Sequence, residues 1–94
     1  MKKELYIMFS SNSTGLWNKE GDEISVSEIR NLGINKDIIE TLEILSAWAF
    51  DAGDLLDETK FDNFALNVSN RIKRILPTWE IYYLSESEHA YIKI

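Results

Sequence analysis

The sequence predicts a single α+β domain, residues 1–94, in which one layer of antiparallel sheet is packed on one face by two main helices. Two stretches, 36–50 and 57–76, repeat apolar residues at three- and four-residue spacing, as helices with one buried side do. Short apolar runs rich in β-branched and aromatic residues stand at both ends of the chain, at 5–9, 79–84 and 89–94. At 94 residues, 45% hydrophobic and 28% charged, the chain has enough material for one core and no room for a second domain.

Taken in order, the first strand covers 4–9 and ends at the polar stretch 10–15, whose Ser, Asn, Thr and Gly residues favour turns. Leu16, Trp17 and residues 23–26 read as two short strands joined through 18–22. Ser27 is placed to cap a short helical turn through Leu32, with Gly33 as its left-handed exit. Asn35 caps the first long helix. There Ile38, Leu42, Leu45 and Ala49 form the inner stripe, flanked by Ile39 and Trp48. Glu40, Glu43, Ala47 and Asp51 point the other way, with Ile44 at their margin. The stretch 51–54 breaks this helix, and Asp57 or Thr59 starts the next. Its apolar face holds Phe61, Phe64, Ala65, Val68, Ile72, Ile75 and Leu76, its last turn carries Arg71, Lys73 and Arg74, and Pro77 stops it. The tail reads as a hairpin with a four-residue loop, 85–88, pairing Tyr82 with Tyr91 and Ile81 with Ile92. That register places apolar pairs on one face and a Glu80–Lys93 pair on the other. The predicted core is Leu5, Ile7, Phe9, Ile38, Leu42, Leu45, Ala49, Phe61, Phe64, Val68, Ile72, Ile75, Ile81 and Ile92.

Composition excludes several kinds of chemistry. With no cysteine there are no disulfides, thiolate metal sites or thiol nucleophiles. A single histidine, His89, builds neither a histidine triad nor a multi-histidine zinc site, and is expected in a strand or loop. The four glycines are scattered singly, so no phosphate-cradling loop is present. The expectation is a protein that is not an enzyme and carries no metal or other cofactor. The apolar run 5–9 is too short for an export signal, and no run approaches the ~20 residues of a membrane span. A cytoplasmic protein without a membrane partner is expected.

Charge supplies the functional signal. The chain carries −6 in all, and residues 36–58 alone hold seven acids against one base, an amount equal to the whole. Three bases near 71–74 are a weak footprint for nucleic acid and suit a helix C-terminus instead, so direct nucleic-acid binding is not expected. The predicted partner-binding residues are Glu40, Glu43, Ile44, Ala47, Trp48, Asp51, Asp54 and Asp57. Carboxylates grouped on a helix face steer a basic partner, and an aromatic at their edge anchors it.

The strings SAWAFD at 46–51, the helix at 61–76 and PTWEIYY at 77–83 together resemble the compact layout of bacterial immunity proteins, particularly those of contact-dependent growth inhibition systems. The resemblance covers about the C-terminal half of the chain. It implies stoichiometric binding of a cognate toxin; the charge map points to a basic one such as a nuclease, and the chain itself is expected as a monomer or weak dimer, its oligomeric state left open. Two other functions compete with this one. An acidic surface also serves a nucleic-acid mimic or adaptor that blocks a DNA-binding protein. Asp51, Asp54 and Asp57 in a D-x-x-D-x-x-D run would be the carboxylates of a small metal-dependent enzyme, although Leu55 and Leu56 occupy positions where oxygen ligands are wanted.

Overall fold

In a computed structural model, which describes residues 3–10 and 12–94, the chain forms an α+β fold with a four-stranded mixed sheet and two long helices. The elements are β1 (Glu4–Ile7), β2 (Leu16–Trp17), α1 (Val26–Asn31), α2 (Lys36–Ala52), α3 (Glu58–Ile75), β3 (Glu80–Leu84) and β4 (Tyr91–Lys93), with a 3₁₀ turn at Gly53–Leu55. Met1, Lys2 and Ser11, the last within the predicted turn at 10–15, lie outside the described residues. No helix among the described residues is long and apolar enough to cross a membrane.

The strand order is β2-β1-β3-β4. The two outer pairs are antiparallel, but the central pair, β1 with β3, is parallel, with Leu5 opposite Ile81 and Ile7 opposite Tyr83. This corrects the expected all-antiparallel sheet. All three helices intervene between β1 and β3, and a crossover of that length returns the chain beside β1 in the same direction.

One face of the sheet is dry. Leu5, Ile7 and Phe9 from the first strand and its extension, with Ile81 and Tyr83 from β3, meet Ile38, Leu42 and Leu45 of α2 and Phe61, Ala65, Val68 and Ile72 of α3 in one buried cluster. Two residues depart from the predicted core, one by leaving it and one by joining it. Phe64 is 54% exposed and leans on Trp48 at the rim, ring centroids 5.7 Å apart, because the tighter positions of α3 are filled by Phe61 and Ala65. Tyr83, absent from the predicted core, is fully buried. Its hydroxyl donates to the Asp62 carboxylate at 2.6 Å, which satisfies the polar end of a large apolar ring.

The second sheet face carries aromatics. Tyr6 stacks on Tyr82 at 5.2 Å and meets Tyr91 edge-on at 5.4 Å, and the Trp17 indole donates to the Met8 carbonyl at 2.9 Å. Tyr82 and Tyr91 thus share a face, as the hairpin reading required, but in a different register. Tyr82 pairs with Lys93, Tyr83 with Ile92 and Leu84 with Tyr91, a slip of two residues that preserves which side chains point inward.

Asp62 is the physical reason for the slip. Its buried carboxylate accepts hydrogen bonds from the hydroxyls of Tyr83, Ser85 and Ser87 and from the amides of Glu86 and Ser87. These bonds wrap the connection around α3 and lengthen it beyond four residues. His89 closes the loop at φ 53, with its amide on the Ser85 carbonyl.

Local caps also differ from the expected ones. Ser25, not Ser27, starts α1, through a reciprocal capping box with Glu28. That cap also ends the second predicted short strand, leaving an isolated bridge between Trp17 and Glu23. Asn35 caps α2 as expected, and α2 continues two residues beyond the predicted end to Ala52 before Gly53 breaks it. Of the two candidates for the start of α3, Asp57 is the cap, accepting from the Lys60 amide at 3.1 Å.

Candidate functional site

The outer face of α2 is built by the same periodicity that builds the core. Because Ile38, Leu42 and Leu45 are turned to the sheet, Glu40, Glu43, Ala47 and Asp51 are turned to solvent and all four are exposed. Ile44 is 66% exposed on the same side. Asp54 is exposed in the 3₁₀ turn that follows.

Charge on this face is largely unneutralised. Glu40 has Lys36 at 3.7 Å, an exposed pair one helical turn apart, which in solution is worth little. No ion pair among the described residues involves Glu43, Asp51 or Asp54. The cations of α3 do not reach these acids. Lys73 donates to the Trp79 carbonyl, and neither Arg71 nor Arg74 forms an ion pair among the described residues.

Two predicted residues have a different role. The Asp57 carboxylate caps α3, which ties it to the backbone. Trp48 is half-buried, with its ring edge-on to Phe61 at 5.2 Å and near Phe64, so it supports the α2–α3 contact. In the D-x-x-D-x-x-D run Asp57 is therefore occupied, and no three acidic or imidazole side chains among the described residues converge as metal ligands.

The structure adds residues to the face that the sequence reading did not single out. Phe50 is 66% exposed and Leu55 is 91% exposed, so large apolar side chains stand among the acids. Phe50 had a readable signal, since it falls off the inner stripe of α2. Leu55 had none, because a leucine in a short break follows no periodicity. Beside Phe50, a cleft of about 270 Å³ separates α2 from the turn after β1 and is lined by Asn12, Ser13, Glu43, Ser46, Ala47, Phe50 and Asp51.

The outer face of α2 sets exposed carboxylates beside exposed apolar side chains. It offers fixed negative charge, apolar anchors and a cleft, which are the means of recognising a positively charged protein surface. Comparison of the chain with protein-family models, curated proteins and solved structures gave no match.

Proposed function

We propose that this chain is an immunity protein, which neutralises a cognate toxin with a basic surface, such as a nuclease, by docking the outer face of α2 over it. The observation that supports this reading best is the coincidence of unpaired carboxylates, Glu43, Asp51 and Asp54, with the exposed apolar side chains Ile44, Phe50 and Leu55. Exposed apolar side chains give a partner anchoring points, and the charges around them favour a cationic one. Net charge of −6 adds long-range attraction to the same partner.

Inhibition on this reading requires no chemistry. The carboxylates occupy the surface where the toxin would hold phosphates, and the apolar residues exclude water from the centre of the contact. The experiment is co-expression with the product of the adjacent gene. Growth protection, a complex of one chain per toxin, and hydrogen-exchange protection over residues 40–55 are expected. A complex protected elsewhere, with the outer face of α2 exchanging as in the free protein, would overturn the assignment of the face.

A further inference from the structure

The outer surface of the helical layer is divided lengthwise by charge. The short connection 53–57 makes α2 and α3 antiparallel neighbours on one sheet face, and the Trp48 ring beside Phe61 and Phe64, at 5.2 and 5.7 Å, fixes their register. Ile44 and Asp51 stand four residues before and three after Trp48 and share its side of α2, with Glu40 a further turn back. On α3, Lys60 and Arg71 stand four before and seven after Phe64 and share its side, with Arg74 one turn beyond. This second stripe is basic. Asp57 caps α3, Asp62 is buried, and Glu58 lies close enough to Glu86 to raise that group's pKa, so the acids of α3 are placed elsewhere. Lys60, Arg71 and Arg74 form no ion pair among the described residues. Between the acidic and basic stripes lie Ile44 and Phe64, 66% and 54% exposed, with the half-buried Trp48. Positions along the two helices also match. At a rise of about 1.5 Å per residue, Glu40 lies about 12 Å from Trp48 and Arg71 about 10 Å from Phe64 in the same direction, while Asp51 and Lys60 lie together near the opposite end.

We propose that a second copy of this chain docks here, helical layer against helical layer, about a two-fold axis running along the groove between α2 and α3. Such an axis places α2 of each copy over α3 of the other and leaves every residue at its own level. Glu40 then meets Arg71 and Arg74 of the second copy, Asp51 meets Lys60 of the second copy, and each contact occurs twice. Ile44, Trp48 and Phe64 of both copies fill the centre and exclude water from it. The other aligned two-fold arrangement, with its axis across the helices, sets α2 against α2 and acids against acids, which like-charge repulsion rejects. This self-association stands apart from the toxin role. Both use the outer face of α2, so a toxin docking there displaces the second copy.

Sedimentation equilibrium of the full chain up to about 1 mM, at low and at high salt, measures the association. A mass rising with concentration from 10.9 kDa toward twice that value, and rising less at high salt, is expected. Glu40→Arg and Arg71→Glu should each weaken self-association at least about tenfold, because each puts two like-charge pairs into the contact. Mixed in equal amounts, the two variants should associate as the native chain does, since both pairs in the mixed dimer are again of opposite sign. Ile44→Ser, which removes a central apolar contact and no charge, should weaken the dimer as well. A native chain that stays at the mass of one copy at both salts would overturn the proposal. So would two folded charge variants that fail to associate when mixed, or a dimer that they leave intact and that Tyr91→Ala, on the opposite sheet face, disrupts.

Discussion

Asp62 shows how one side chain sets both a register and a pH dependence. Burial would push its carboxyl up, but hydrogen bonds from Ser87, Tyr83 and Ser85, and from the Glu86 amide, more than offset this and hold it at about 2. Because that value lies below the ordinary one of 3.8, the ionised carboxylate stabilises the fold at neutral pH, and this contribution disappears as pH falls through about 2. Glu86 has the opposite sign. Its burial, together with the Asp62 and Glu58 charges, raises its pKa, so its protonation in acid relieves a small unfavourable interaction. Asp62→Asn puts an amide where five donors need an acceptor, and a loss of about 2–4 kcal/mol in urea unfolding at pH 7 is expected. The difference from the native protein should shrink between about pH 4 and pH 2. None of this was legible beforehand, since an aspartate in the second turn of a predicted helix looks like any solvated acid until the β3–β4 loop is folded onto it.

At the scale of elements, the long helices were readable and the short ones only partly so. The stripe Ile38, Leu42, Leu45 is enough to orient α2, and orienting α2 puts Glu40, Glu43, Ala47 and Asp51 outside. The same rule misplaced Phe64, because a periodic pattern states which side is apolar and not how wide the buried strip is. For α1 the capping chemistry decides, and Ser25 with Glu28 three residues later is the stronger signal than Ser27. Ser25→Ala should therefore lower stability by about 1 kcal/mol in thermal or urea unfolding, whereas Ser27→Ala should change it by less than about 0.5 kcal/mol. Glu40→Gln, Glu43→Gln and Asp51→Asn should be similarly silent for folding, because these side chains are exposed and among the described residues only Glu40 of the three has an ion-pair partner, itself exposed. That separation between stability and binding is what makes the outer face of α2 testable.

For the whole molecule, topology escaped the sequence because each strand was judged beside its neighbour in the chain. The 79–84 and 89–94 runs are local and pair antiparallel as neighbours do, while β1 meets β3 only after three helices have passed across one face of the sheet. Leu5, Ile7, Phe9 and Ile81 were nevertheless identified as facing the helices, though Tyr83 was not, since a strand alternates inside and outside whichever direction its partner runs. The candidate site was legible as far as charge and periodicity reach: Phe50 falls off the inner stripe of α2 and was readable there, whereas the exposure of Leu55 and the cleft beside α2 are properties of packing. One consequence belongs to the molecule as a whole, because a net charge of −6, with Glu40, Glu43, Asp51 and Asp54 exposed along α2 and the turn after it, acts before contact is made. The most direct test is therefore the association rate constant with the toxin proposed as partner, measured across ionic strength for the native chain and for the Glu40→Gln, Glu43→Gln, Asp51→Asn triple variant. The native rate should fall steeply with salt, and the triple variant should associate at least about tenfold more slowly at low salt with a flatter dependence. Equal rates and equal salt slopes for the two proteins would contradict docking through the outer face of α2.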